Sequence, residues 1–312
     1  MSHHKLYKYT IVLMALFLAG TPVTADILKD AKTAYNSGKY EEAVRLYKTA
    51  AEKSNARAQF GLGVMYEHGR GVPQDHQKAL EWYQKAAGQG SAAAQNNLGY
   101  LYFTGQGVEK DYKQAYQWYK KAVDNKDKKR WHVSIAWCNL GNMYMGGYHV
   151  PQSYSKAAEC YRKSADNGNP NGANNLGYLY EHGLGVEKSY ELAMKWYGKA
   201  ADKGYPFAES NLGVMYESGR GMMIDYHKAL EWYTKAAIKG NAFAQYKLGR
   251  IYEYGLGVKK DLVKAYRWYW LSSQKGAKYA DECIQRLKTV LTKVQINEAV
   301  KISSGEGEAG HE

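Results

Sequence analysis

One dipeptide returns along this chain on a fixed ruler. Leu62-Gly63, Leu98-Gly99, Leu140-Gly141, Leu176-Gly177, Leu212-Gly213 and Leu248-Gly249 are separated by 36, 42, 36, 36 and 36 residues. Tryptophans keep step at Trp82, Trp118, Trp196, Trp232 and Trp268. Self-similarity at this period marks a helical solenoid, in which each unit buries one face against its neighbours and no central core forms. The 312 residues therefore read as one elongated array rather than as one or two ordinary globular domains. The long surface such stacking creates suits the holding of a partner better than chemistry.

One unit runs from Ala58 to Ala93. Leu62, Met65 and Tyr66 give a first helix its apolar stripe, and Ala79, Trp82, Tyr83 and Ala86 give a second helix the same. Between them stands Gly69-Arg70-Gly71-Val72, repeated at Gly105–Val108, Gly183–Val186 and Gly255–Val258; such glycines fit a helix end that needs positive φ. Asp75, Asp111, Ser153, Ser189, Asp225 and Asp261 stand in register as N-caps of the second helices. The glycine of each Leu-Gly pair lies inside the first helix, where it costs up to about 1 kcal/mol against alanine, so it predicts a close helix approach. The small residues Ala79, Ala115, Ala157, Ala193, Ala229 and Ala265 are the expected opposing surface, with Trp and Tyr filling the space towards the adjacent repeat.

The combined pattern, A-x-x-x-L-G-x-M/L-Y-x-x-G-x-G-V followed by D-x-x-K-A-x-x-W-Y-x-K-A-A, resembles the Sel-one-like repeat (SLR) family, a relative of the tetratricopeptide repeats. The resemblance implies an all-α fold, an α/α superhelical solenoid of helix-turn-helix repeats. It covers 58–279 as six units: 58–93, 94–135, 136–171, 172–207, 208–243 and 244–279. Residues 26–57 read as a tetratricopeptide-like first unit. Residues 280–302 read as capping helices, with Thr292-Lys293-Val294-Gln295 matching a capping box, and 303–312 as a flexible acidic tail.

The first 25 residues have the order of a secretory leader: Lys5 and Lys8, a short apolar stretch from Ile11 to Gly20, then Val23-Thr24-Ala25 before Asp26. Cleavage after Ala25 and a periplasmic or secreted location are expected; the apolar run is short for a membrane span, and an uncleaved membrane-associated helix is the alternative. Losing Lys5 and Lys8 and no acid takes the formal charge from +13 to +11. The remaining basic residues are scattered at recurrent helix positions, and no groove-reading motif accompanies them, which argues against nucleic acid as a partner and leaves an acidic partner or an anionic surface open. Cys138, Cys160 and Cys283 are too few for a disulfide framework, and Cys138 and Cys160 read as two buried thiols in preference to a bridge.

Two places stand out as candidate sites. Asn97, Asn139, Asn175 and Asn211 form a ladder one residue before the Leu-Gly leucine, with Gly61 and Lys247 at its ends. One and two turns along the same face follow Tyr100 and Thr104, Asn142, and Tyr178 and His182. Amides both donate to and accept from an extended peptide backbone. The resemblance implies that these helices line a concave side, so this stripe is a candidate protein or peptide groove; the other reading is that the asparagines tie neighbouring repeats together. The third unit is the second place. A six-residue insertion around Asn125 to Trp131 precedes it, carrying Lys126, Lys128, Lys129, Arg130 and Trp131; His149 replaces a turn glycine and Cys160 a tryptophan. Insertions map to loops, and loops carry function. Glu67, Glu181, Glu217 and Glu253 form an acidic ladder that reads as a solvated helix end.

No zinc signature, P-loop or nucleophile elbow is present, and no cofactor or metal is expected. Relatives described as penicillin-binding or β-lactamase-like bring S-x-x-K to attention at Ser153–Lys156 and Ser272–Lys275, but neither is followed by S-D-N or K-T-G. The expected function is therefore a non-enzymatic periplasmic scaffold, an envelope adaptor or host-interaction factor that binds a protein or peptide. The alternative implied by the resemblance is an immunity protein neutralising a secreted envelope-targeting toxin such as a lipase effector.

Overall fold

The computed structural model describes residues 21–125 and 130–301. These form sixteen helices, and no strand occurs among the described residues. The chain divides into two compact units at Gln152/Ser153. The first holds α1 (Thr21–Asn36), α2 (Tyr40–Glu52), α3 (Ala56–His68), α4 (His76–Gly88), α5 (Ala92–Thr104), α6 (Tyr112–Val123) and α7 (Arg130–Gly146). The second holds α8 (Tyr154–Asp166), α9 (Pro170–His182), α10 (Tyr190–Ala201), α11 (Pro206–Ser218), α12 (Tyr226–Ile238), α13 (Ala242–Tyr254), α14 (Leu262–Gln274), α15 (Lys278–Lys288) and α16 (Lys293–Lys301). Within each unit successive helices pack as antiparallel pairs, the all-α solenoid architecture that the 36-residue period predicts. The first 20 residues of the expected leader, Lys126, Lys128 and Lys129 of the insertion, and the expected tail at 303–312 lie outside the described residues. Among the described residues no helix is long and apolar enough to cross a membrane.

Local chemistry sets the helix ends. All six expected caps accept a backbone N–H from the first turn of the helix they precede, as Asp75 does from Lys78 and Asp111 from Lys113 and Gln114. First helices end on a left-handed glycine such as Gly105, φ 77°. The second turn glycine meets a different demand. At Gly107, φ 70°, an added Cβ would lie 2.5 Å from the carbonyl of His76, so the turn of one repeat seats directly on the second helix of the repeat before. His149 holds the same left-handed conformation, φ 64°, with a full side chain.

Within each unit the core runs from one repeat into the next. Ala79, Tyr83, Ala86 and Ala87 of α4 pack with Ala94, Leu98 and Leu101 of α5, and Ala229, Tyr233, Ala236 and Ala237 of α12 pack with Ala244, Leu248 and Ile251 of α13. Trp118 and Trp268 lie against these clusters from the following repeat, as the pattern predicts for the tryptophans. The tyrosines behave differently. Tyr83, Tyr119, Tyr197, Tyr233 and Tyr269 are each buried within their own helix pair, with the ring edge close to the Leu-Gly glycine. A Cβ added at Gly99 or Gly213 would sit 2.6 Å from the ring of Tyr119 or Tyr233. At Gly177 it would sit 2.8 Å from Tyr197 and 3.2 Å from the carbonyl oxygen of Ala193. The glycine therefore makes room for an aromatic ring rather than for an alanine methyl, because a ring fills a helix interface that two small residues would leave hollow.

Side chains also clamp one repeat to the next. Asn125 Nδ2 donates to the carbonyl of Gly90 (2.7 Å), Lys203 Nζ to that of Gly168 (2.6 Å) and Lys239 Nζ to that of Gly204 (3.2 Å), each reaching back 35 residues. At the C-terminal end α14, α15 and α16 share a core built on Tyr269, Ile284, Leu287 and Ala299. Thr292 and Gln295 form a reciprocal capping box, Thr292 N–H to Gln295 Oε1 at 2.9 Å and Gln295 N–H to Thr292 Oγ1 at 3.3 Å. Cys138, Cys160 and Cys283 stand as three buried thiols.

Candidate partner-binding face

The asparagine ladder sits half-buried on the first helices, and its amides bond across repeats. Asn139 Nδ2 donates to Asn96 Oδ1 at 3.0 Å, from α7 to α5, and Asn211 Nδ2 to Asn174 Oδ1 at 2.9 Å, from α11 to α9. Asn97 reaches the hydroxyl of Tyr83 in the repeat before it. Lys247, the ladder position in α13, pairs with Glu217 Oε2 at 2.8 Å. Asn175 also has a partner. This is the tying geometry, built because an amide at a helix–helix seam that is half shielded from water needs a partner there.

The acidic ladder is the second half of the same seam, and here the expectation of a solvated helix end is corrected. Tyr83 donates its hydroxyl to Glu67, Tyr197 to Glu181 (2.6 Å), Tyr233 to Glu217 (2.5 Å) and Tyr269 to Glu253 (2.6 Å). Glu181 and Glu253 are buried. The following repeat or cap then supplies the counter-charge: Arg220 to Glu181, Lys247 to Glu217, and Arg286 to Glu253 at 2.8 Å. A buried carboxylate survives because it is both hydrogen-bonded and paired. Burial first, and then the glutamate charge, pushes the phenols of Tyr83, Tyr197 and Tyr233 far above their ordinary range. Hydrogen bonds that Arg286 donates to Glu253 raise the guanidinium in the same sense, holding its charge.

Farther along the face the side chains turn outward. Tyr100 is 42% exposed and Tyr178 is 41% exposed, and Asn142 and His182 are exposed as well. Tyr178 stacks on His182 with ring centroids 4.2 Å apart, and His182 Nδ1 lies 3.0 Å from the Tyr178 carbonyl. Thr104 directs its hydroxyl back to the carbonyl of Tyr100 (2.9 Å). The same positions of the next two repeats, Val214 and Ser218 on α11 and Arg250 and Tyr254 on α13, line an open cavity of roughly 540 Å³ together with Glu217, Arg220, Tyr226, Lys247 and Leu256. Sequence reasoning stopped short of these residues, although continuing the stripe by three and seven positions from Asn211 and Lys247 finds Val214, Ser218, Arg250 and Tyr254.

Around the third repeat, Trp131 is 54% exposed at the start of α7, a helix that opens on Arg130. His149 is exposed, its ring 5.9 Å from that of Tyr116. Phe103, Tyr112 and Tyr148 cluster beside it with centroids 5.0 to 5.2 Å apart. The two S-x-x-K serines have structural duties. Ser153 caps α8, accepting from the N–H of Lys156, and Ser272 is fully buried and donates to the carbonyl of Ala242 at 2.7 Å. No group of His, Cys, Asp and Glu able to hold a metal ion occurs among the described residues.

The Sel1 repeat matches residues 37–55, 56–91, 92–127, 135–169, 170–205, 206–241 and 242–276. A crystal structure of a protective antigen present in uropathogenic Escherichia coli strains, displaying an SLR fold, is 31% identical with a TM-score of 0.68; the likeness covers 92% of this chain and 62% of that one. A Sel1 repeat protein from Oxalobacter formigenes is 34% identical with a TM-score of 0.73, covering 80% of this chain and 99% of the other. An immunity protein from Pseudomonas aeruginosa is 26% identical with a TM-score of 0.46 over 74% of this chain and 81% of its own. A comparison with curated proteins gives no match.

Proposed function

We propose that the chain, which belongs to the Sel1 repeat family, is an exported, non-enzymatic scaffold that holds a protein or peptide partner on the first-helix face of its repeats. A Sel1 repeat array is suited to protein interaction. The observation that carries the finer reading is the open cavity between α11 and α13, into which the face sends side chains one and two turns beyond the ladder. The ladder amides secure the seam, and the outward groups beyond them, Tyr178, His182, Ser218, Arg250 and Tyr254, are polar or aromatic and open to a ligand. Aromatic and Arg side chains of this kind are the usual anchors of interfaces. Export is supported by the charged, apolar and small-residue order of residues 1–25.

Affinity capture from an envelope extract of the native cell tests the reading. The tagged protein is expected to retain a partner that is lost when Tyr178 and Tyr254 are replaced by alanine without change in helicity. A partner retained equally by that variant would place binding elsewhere. A single, very tight partner that degrades envelope components would shift the role from adaptor to immunity protein.

A further inference from the structure

We propose that the cavity between α11 and α13 is a carboxylate-recognition site, so that the partner segment held there is an acidic peptide; this rests on the first-helix face being the binding face. The charge around the cavity is unbalanced. Arg220, Lys247 and Arg250 contribute three cations and Glu217 one anion. Arg220 is taken up by Glu181 and Lys247 by Glu217. Arg250 has no carboxylate within ion-pair distance among the described residues; its guanidinium sits over the ring of Tyr254, 5.8 Å from the centroid.

Geometry directs that charge at a ligand. Arg250 is half-buried on α13, one turn beyond Lys247, so its planar donor fork looks into a partly shielded space where a carboxylate would bind it bidentately. Lys247 stays paired with Glu217 at the wall, so the uncompensated charge facing the space is that of Arg250. Ser218, across the cavity on α11, directs its hydroxyl to the Val214 carbonyl (2.7 Å) and keeps acceptor capacity for a peptide N–H. The face then continues along both helices to exposed Phe207 and Phe243, set 36 residues apart. A peptide laid across it places its acid on Arg250 and an apolar side chain on the phenylalanines. The same chemistry could come from an Asp or Glu side chain or from a chain terminus.

A library of random twelve-residue peptides with free C-termini, displayed on phage, is panned on the full-length protein, on Arg250→Gln and on Lys195→Gln. The last removes an equal charge from the exposed side of α10. Enrichment of acidic sequences on the wild type and on Lys195→Gln, with at least tenfold weaker binding of the selected synthetic peptides to Arg250→Gln at unchanged melting temperature, is the expected result. Amidated and Asp→Asn versions of those peptides then assign the carboxylate to the terminus or to a side chain. Selected peptides without acidic enrichment, or equal affinity for Arg250→Gln, would overturn the carboxylate assignment and leave the binding face standing. No enrichment on any of the three proteins would overturn the peptide-binding reading itself.

Discussion

Replacing one glycine by alanine at two positions of neighbouring helices should shift stability in opposite directions. Gly177 lies inside α9 and Gly198 inside α10. In both, alanine is the better helix former by about 1 kcal/mol. At Gly198 nothing lies within 4 Å of the added methyl, so the gain stands alone and Gly198→Ala should stabilise by roughly 0.5–1 kcal/mol. At Gly177 the methyl would sit 2.8 Å from Cδ1 and 2.9 Å from Cε1 of Tyr197, and 3.2 Å from the Ala193 carbonyl. The ring cannot swing aside, because it is fully buried and its hydroxyl is held by Glu181. Overpacking of this kind costs about 1–3 kcal/mol, so after the helix gain Gly177→Ala should lose about 1–2 kcal/mol. Urea unfolding followed by far-ultraviolet circular dichroism measures both, and a double-mutant cycle with Tyr197→Leu should recover at least about 1 kcal/mol of coupling. Equal shifts for the two glycines, or additive behaviour with Tyr197→Leu, would refute the claim that the Leu-Gly glycine exists to admit the ring.

Asn139→Ala and Asn211→Ala should each lower stability by about 1–3 kcal/mol, since each leaves an amide of the preceding repeat, buried at Asn96 and half-buried at Asn174, without its donor; unchanged urea midpoints would remove the ladder from the seam. The phenols of Tyr83, Tyr119, Tyr197, Tyr233 and Tyr269 are raised by burial, so stability should hold up to the ordinary phenol range near pH 10 and fall as pH climbs above it. In an alkaline absorbance titration these phenols should ionise only together with unfolding, and gradual ionisation in the folded protein would contradict their burial. Mass spectrometry of the protein from envelope extract should find Asp26 at the N-terminus; an intact leader on protein found in the cytoplasm would refute export.

The fold was legible because a solenoid writes its contacts at short range. Caps, turn glycines and apolar stripes lie within one 36-residue unit, so Asp75, Gly105 and Leu98 could each be assigned from local pattern alone. What the pattern could not show is which of several periodic partners meets which. Ala193 and Tyr197 recur with the same period as Gly177, and only the rotation of the helices decides that the ring takes the contact. The glutamates illustrate the same limit: Glu181 stands near a helix end, yet its neighbour 16 residues on and Arg220 from the next repeat enclose it. The outward part of the face was read from Tyr100 to His182 but not carried into α11 and α13, where Val214 and Arg250 break the amide-and-aromatic composition that had marked it.

The most direct test of the binding face is site-specific photo-crosslinking. A benzoylphenylalanine at Ser218, on the cavity wall, and another at Glu231, exposed on α12, are irradiated in the presence of envelope extract. A covalent adduct of one defined protein from position 218 and none from position 231 is the predicted result. An adduct from position 231 alone, or from neither, would contradict the assignment of partner binding to the first-helix face.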